Sequence, residues 1–271
     1  MIGSTHRLNI GKYVVVIFCD SQSTRQASAL FPNTDKVLLE SSVRALGYDP
    51  DVLQSSMNIP YIRTPDTQIL IDTGLGPGRS QLPQTMAWAG IEINRIEHVI
   101  ISHAHGDHIG GLVDANGSLM FPRARYYVWH TEWEAWQEAA DKPENAESVV
   151  RKTLLAIKDK VTLVKDDGAF LPGISAVPTP GHTRGHMAVM IESEGERLLH
   201  LVDAIHHPSQ VAHPEWSPGF DSQPDLSATT RTNILKRAAA DDLLTLAYHF
   251  PFPGLGKVAR DGSQNAWQPI A

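Results

Sequence analysis

The chain has a single cysteine, Cys19, among 271 residues, which excludes any internal disulfide and fits a reducing compartment. A lone thiol of this kind reads as a small core residue. Long hydrophobic runs are missing too. The longest near the start, Val14-Val-Val-Ile-Phe18, is too short to span a bilayer and lacks signal-peptide flanks, so a soluble, cytoplasmic protein with no membrane partner is expected. Positive charge is scarce: 23 Lys and Arg stand against 30 Asp and Glu, a formal charge of −7, with the basic residues scattered rather than gathered into a stripe. Such a surface repels a polyanion, so nucleic acid is not an expected partner. There is no solenoid-period repeat and no low-complexity tract. The Pro/Gly-rich stretches around 74–83 and 208–224 are short and read as loops. With no linker to divide it, the chain reads as one domain over 1–271, long enough to bury a large core.

What the chain has in density is histidine. Residues 103–111 read His-Ala-His-Gly-Asp-His-Ile-Gly-Gly, with three imidazoles and a carboxylate inside six positions. The chain has thirteen histidines, so an isolated one means little, but this spacing points to metal chemistry. The preceding run, His98-Val-Ile-Ile-Ser102, is short, β-branched and apolar, the pattern of a buried strand. Residues two apart at the end of an extended segment project to one side, so His103 and His105 can grip one ion together. Asp107 and His108 fall beyond the strand, where the chain turns, and can hold a second. Nitrogen and carboxylate donors suit zinc, and also manganese, iron or cobalt.

Further donors follow at wide intervals. His182 lies in the Gly-bounded turn of Pro178-Thr-Pro-Gly-His-Thr-Arg-Gly-His186, where the backbone can come close to a metal. His186 reads as a supporting hydrogen-bond partner rather than a ligand. Arg197-Leu-Leu-His-Leu-Val-Asp203 reads as a strand ending in an acid well placed to bridge two ions. Leu246-Ala-Tyr-His249 is an apolar strand that delivers a histidine before Pro and Gly break it.

With these residues in order, the chain resembles the metallo-β-lactamase superfamily, whose His-x-His-x-Asp-His signature is met by His103, His105, Asp107 and His108. The resemblance runs from about residue 60 to 256 and extends to His182, Asp203 and His249. It implies an α/β fold, a four-layer αβ/βα sandwich whose two halves meet at the metal edge. It also implies one ion on His103, His105 and His182, another on Asp107, His108 and His249, and Asp203 as the bridge. Asp72, in the Asp-Thr-Gly of this family, would orient ligands from outside the set. The implied assembly is a homodimer, with the segment before residue 60 as its contact.

Within the superfamily the chain is most similar to the branch of methyl parathion hydrolases and N-acyl-homoserine lactonases. Zinc β-lactamases usually lack the acid found here at Asp203, and the flavodiiron branch has glutamate where His105 stands. Glyoxalase II, a thioesterase, shares the seven ligands but carries a longer C-terminal region. The ending His249-Phe-Pro-Phe-Pro-Gly-Leu-Gly256 and its polar, hairpin-like tail resemble methyl parathion hydrolases. Lactonases place a catalytic tyrosine three residues after the bridging acid, where this chain has His206. The expected function is therefore a binuclear hydrolase of esters or lactones, with phosphotriesters as further substrates. Two cations sharing a water lower its pKa, to about 7 for zinc, and supply the nucleophile without a serine or cysteine. Asp107 would pass the proton to the leaving group, with His206 as a further hydrogen-bond donor. The rivals are a glyoxalase II-like thioesterase, a mononuclear iron enzyme similar to the persulfide dioxygenases, and a non-catalytic metal binder. The full second donor set, especially His108 and His249, argues against the mononuclear reading.

Four helices are legible: 35–46, with Val37, Leu38, Val43 and Leu46 as its apolar positions and Gly47 as its stop; about 131–140; 146–158; and 226–240. Thr131-Glu-Trp-Glu134 has the form of a capping box, with Trp133 and Trp136 on one packing face. Trp216 and Phe220, in the loop after Asp203, and Phe250 and Phe252, beside His249, are candidate walls of an apolar substrate pocket.

Overall fold

The computed structural model describes residues 4–261 and 264–270. The outermost residues of the expected 1–271 domain and the turn of its tail hairpin lie outside the described residues. Two seven-stranded sheets make up the centre. The first runs in spatial order β1 (Thr5–Ile10), β2 (Tyr13–Arg25), β3 (Leu53–Arg63), β4 (Gln68–Ile71), β5 (His98–Ile101), β6 (Arg125–Trp129) and β7 (Val161–Val164). The second runs β14 (Gln264–Pro269), β13 (Leu255–Asp261), β12 (Leu244–Ala247), β11 (Glu196–Val202), β10 (Met187–Ser193), β9 (Ile174–Pro178) and β8 (Gly168–Leu171). Pairing is parallel from β4 to β7 and between β11 and β12, and antiparallel elsewhere.

Alternation along the strands builds the layers, because successive side chains point to opposite faces. Val15, Ile17, Ile69, Ile71 and Ile100 of the first sheet meet Val189, Ile191, Leu198 and Leu246 of the second in one buried cluster between the sheets. Their neighbours Val16, Phe18, Leu70, Val99 and Ile101 face the other way, into a cluster with three helices, α3 (Leu82–Trp88), α5 (His130–Ala140) and α6 (Val149–Ile157). On the second sheet, Ala188, Met190, Leu199 and Leu201 face out against Ile234, Leu235 and Ala238 of α8 (Pro224–Ala240). The order helix, sheet, sheet, helix is the expected four-layer sandwich. Strands covered on both faces must be apolar throughout, which is why these segments show no polar alternation. No helix among the described residues is long and apolar enough to cross a membrane.

The remaining helices are α1 (Ala27–Leu30), α2 (Lys36–Ala45), α4 (Gly106–Ile109) and α7 (Ser209–Ala212). The segment before residue 60, expected to carry a dimer contact, forms β1, β2, α1, α2 and much of β3. Two local readings are corrected. The capping box at Thr131 does not form: the helix begins one residue earlier, at His130, and its N-cap Trp129 makes no side-chain cap. In α2 the buried positions are Leu39 and Val43, while Val37 and Leu38 are 78% and 55% exposed. Asp35 caps this helix by accepting from the Leu38 N–H, and packing of Leu39 and Val43 against Phe31, Leu53 and Trp216 sets the inward face.

These packing assignments predict opposite outcomes for two truncations. Leu246→Ala, between the sheets, should cost about 2–5 kcal/mol of unfolding free energy, and Leu38→Ala should stay within about 0.5 kcal/mol, as measured by chemical denaturation. Equal losses would contradict the core assignment.

Candidate metal centre

All the predicted donors follow strand ends on one edge of the two sheets, and Asp72 anchors them. It sits immediately after β4 with φ 62°, a left-handed backbone that sharply redirects the chain. Its Oδ1 accepts from the Ser102 N–H at 2.8 Å, and its Oδ2 accepts from Ser102 Oγ at 2.7 Å and from His108 Nδ1 at 2.8 Å. The bond to Nδ1 orients the His108 ring with Nε2 directed at the site; burial opposes its charge, but Asp203, Asp107 and Asp72 raise it well above the usual imidazole range, and a cation there would take the place of the Nε2 proton. The His108 carbonyl is held by the backbone N–H and Oγ1 of Thr73, both at 2.8 Å. A Cβ at Gly111 would collide with the Thr73 carbonyl, so glycine is required where these two loops interlock.

Two groups of donors lie side by side. The donor atoms of His103, His105 and His182 lie within 4.8 Å of one another, and so do those of Asp107, His108 and His249. His105 Nδ1 is 2.9 Å from His182 Nε2. The other nitrogen of His182 meets Asp221 Oδ1 at 2.8 Å, and Asp221 Oδ2 accepts from Arg231 at 3.1 Å. Arg231 is fully buried and also donates to the carbonyls of Ala204, Pro214 and Trp216. Asp221 and Arg231 were not anticipated, since no local motif marks an acid 39 residues from the histidine it holds. In the second group, the Tyr248 hydroxyl donates to the Asp107 carbonyl at 2.7 Å, and His249 Nε2 is 3.5 Å from Asp107 Oδ2.

Asp203 stands between the groups. Its Oδ1 is 3.4 Å from His108 Nε2, while its Oδ2 is 3.3 Å from His182 Nε2 and 3.2 Å from His249 Nε2. A register shift in β11 and a φ of 50° at Val202 deliver it. A β-branched residue in that region is strained, by about 1–3 kcal/mol. The His186 imidazole accepts from the Asp203 N–H at 3.1 Å and pairs through Nδ1 with Thr179 Oγ1 at 2.8 Å. It therefore holds the backbone of the acid and stands outside the donor groups.

The chemistry of these residues fits a pair of cations. Among the described residues, His103 Nε2, His108 Nε2 and Asp203 Oδ1 are buried with no hydrogen-bond partner, a costly arrangement for groups that converge on one point. Burial alone would raise the Asp203 carboxyl, but His249, His108 and His206 around it hold it well below the usual carboxylate range. Burial, with His182 close by, drives His105 down to about 4, so it offers a lone pair at neutral pH. His182 goes the other way, up to about 9: burial opposes its charge, and the hydrogen bonds to Asp203 and Asp221 outweigh that. The negative field that raises His182 also favours a cation placed among these donors.

His206 lies at the mouth of the centre, its Nε2 3.2 Å from Asp203 Oδ2 and its ring stacked on His249 with centroids 5.4 Å apart. Burial lowers it to about 4, so it is neutral at physiological pH. Gln210 Oε1 accepts from its backbone N–H at 2.7 Å and fixes the turn. Of the four aromatic residues expected to wall a pocket, only Phe220 lines the cavity over His105, Asp107, Asp203 and His249. Trp216 is buried instead in a cluster with Phe31, Leu39 and Val43, 5.6 Å from the Phe31 ring. Phe250 packs edge-on against Trp267, and Phe252 joins the core between the sheets. The physical reason is that each of the three finds an apolar cluster to join: Phe250 on the outer face of the second sheet, Phe252 between the sheets and Trp216 beside the helices of the N-terminal segment. The remaining wall comes from Arg25, Leu30, Leu53, Gln54, Ser55 and His207, most of them in an N-terminal segment with no chemical motif to mark it.

Asp72→Ala should weaken zinc retention by about 10–100-fold in competition with a chromophoric chelator, because His108 loses the acceptor that orients its ring. Unchanged retention would contradict this role.

The chain is similar to known metal-dependent hydrolases. A solved structure of AidC, described as a dizinc quorum-quenching lactonase in complex with its product N-hexanoyl-L-homoserine, superposes with a TM-score of 0.90 at 25% identity, covering 99% of this chain and 98% of that one. A probable metallo-hydrolase of Mycobacterium tuberculosis is 27% identical over 184 residues, 55% of this chain and 57% of that protein. An N-acyl homoserine lactonase of a Bacillus species is 31% identical over 144 residues, 52% of each chain. The chain thus spans about half the length of the curated relatives it matches. A family model matches residues 57–249, an interval that takes in Asp72, His186 and all seven predicted donors, and the chain belongs to the metallo-β-lactamase superfamily.

Proposed function

We propose that this protein is a binuclear metal-dependent hydrolase that opens lactones, N-acyl-homoserine lactones foremost, and cleaves related carboxylic esters. The observation that carries the reading is the position of Asp203 between the donor groups, its Oδ2 within 3.3 Å of His182 of the first and 3.2 Å of His249 of the second and its Oδ1 3.4 Å from His108, beside a cavity also lined by Leu30, Leu53 and Phe220. The likeness to AidC over nearly the whole chain supports the substrate class. His103, His105 and His182 would hold one ion, Asp107, His108 and His249 the other, and Asp203 both. Zinc suits this donor set and is the metal named for AidC.

When bound, two such ions supply Lewis acidity and lower the pKa of a water toward neutrality. The protein's own groups do the rest. Leu30, Leu53 and Phe220 receive the acyl chain and keep the carbonyl dry, while the neutral His206 imidazole can donate to an oxygen as charge develops on it. As the water oxygen bonds to the acyl carbon and the bond to the ring oxygen breaks, the Asp107 carboxylate takes the proton and returns it to the departing alkoxide. Asp107 suits that task because its side chain is 26% exposed and lines the cavity, whereas Asp203 is buried. In a lactone the alkoxide stays tethered, and the product is a hydroxy acid.

Metal analysis with a substrate panel tests this reading. The purified protein should contain two ions per chain, lose activity on chelation, and show a higher kcat/KM for an acyl-homoserine lactone or an aryl ester than for S-lactoylglutathione, a phosphotriester or a β-lactam. A clear preference for S-lactoylglutathione would move the protein to the thioesterases. One iron per fully active chain would move it to the dioxygenases. Asp203→Ala should lose both metal and turnover, while His206→Ala should keep two metals and lose only rate. An Asp203→Ala variant with two metals and a near-normal rate would contradict the proposal.

A further inference from the structure

Glu132, in the first turn of α5, lies outside the donor groups, yet it is only 2% exposed and every hydrogen bond it accepts comes from the loops that carry those groups. Its Oε1 accepts from the Ala104 N–H at 2.8 Å, and its Oε2 accepts from Thr183 Oγ1 at 2.7 Å and from the Gly185 N–H at 3.0 Å. Ala104 is the residue between His103 and His105. Thr183 follows His182, and Gly185 precedes His186. A single carboxylate therefore ties the two loops whose histidines form the first donor group.

A buried carboxylate is costly unless its oxygens are satisfied, so this one is held by the same contacts that hold the loops. The N-terminal end of α5 adds a favourable dipole for the anion. The approach is close enough to constrain sequence: a Cβ at Gly185 would collide with the Glu132 backbone, so only glycine lets this loop lie against the helix. The second donor group has different supports, namely Asp72 on His108 and Tyr248 on Asp107.

We infer that Glu132 is a positioning residue that sets the separation between His103/His105 and His182, and thereby the affinity of the first metal position alone. The inference rests on the ligand assignment proposed above. Glu132 acts through the loops and touches neither the donor nitrogens nor the cavity.

The test is zinc titration of the full chain against a chromophoric chelator, with far-UV circular dichroism as a check on folding. Wild-type protein should bind two ions. Glu132→Ala should keep its fold and one wild-type affinity while the other falls about 10–100-fold, and Glu132→Gln should lie between, since an amide retains one acceptor oxygen. The loss should persist in a His249→Ala background and vanish in a His105→Ala background, because only the latter removes the position that Glu132 serves. Two unchanged affinities, or equal weakening of both, would overturn the inference. If Glu132→Ala does not fold, Thr183→Val removes one of the three bonds and should weaken the same single position, and no effect there would be equally fatal. A wild-type protein that binds fewer than two ions would defeat the ligand assignment instead, which separates the two failures.

Discussion

A buried carboxylate at the floor of the cavity is the constraint around which the molecule is organised. Asp203 is 2% exposed, and its two oxygens lie within 4 Å of nitrogens from His103, His108, His182, His206 and His249. An isolated charge in that position would be prohibitive, and apolar packing cannot offset it. The surrounding imidazoles make it tolerable, and a pair of cations would make it favourable. The strained backbone at Val202 belongs to the same account: strain there is sustained because β11 is paired on both sides and buried on both faces.

Around that acid stands a second row of buried acids, each assigned to one element of the centre. Asp72 orients His108 and ties β4 to the end of β5. Asp221 backs His182 and is itself neutralised by Arg231, whose remaining donors hold the loop that carries His206. Glu132 joins the histidine loops of the two sheets. Carboxylates serve these positions because each can accept several bonds at once, and their negative charge raises the basicity of the imidazoles they support.

The donors were legible in the sequence because their chemistry is local. Three imidazoles and an acid within six residues, at the end of an apolar strand, leave little else to be, and Asp72, His186, Asp203 and His249 each follow a recognisable strand or turn. The layers were legible from the resemblance, and the near-continuous apolar strands agree with it. The supports were not, since Glu132, Asp221 and Arg231 sit on helices or loops whose partners are 10 to 53 residues away, and their neighbours read as ordinary helix surface or turn. Glu132, an intervening position of the Thr131-to-Glu134 capping-box pattern, faces inward toward the loops of the first donor group. The pocket wall was misread for a related reason. Aromatic residues near a ligand in sequence turned into the core, and the wall came instead from the distant residues Arg25, Leu30, Leu53, Gln54 and Ser55.

The central claim is that one carboxylate serves two ions held side by side. X-ray absorption spectroscopy of the fully zinc-loaded protein reads this directly. The account predicts a nitrogen and oxygen shell with several imidazoles per metal and a metal neighbour at about 3.5–4 Å, lost in Asp203→Ala. A zinc-loaded active protein with no metal neighbour at that distance would contradict it.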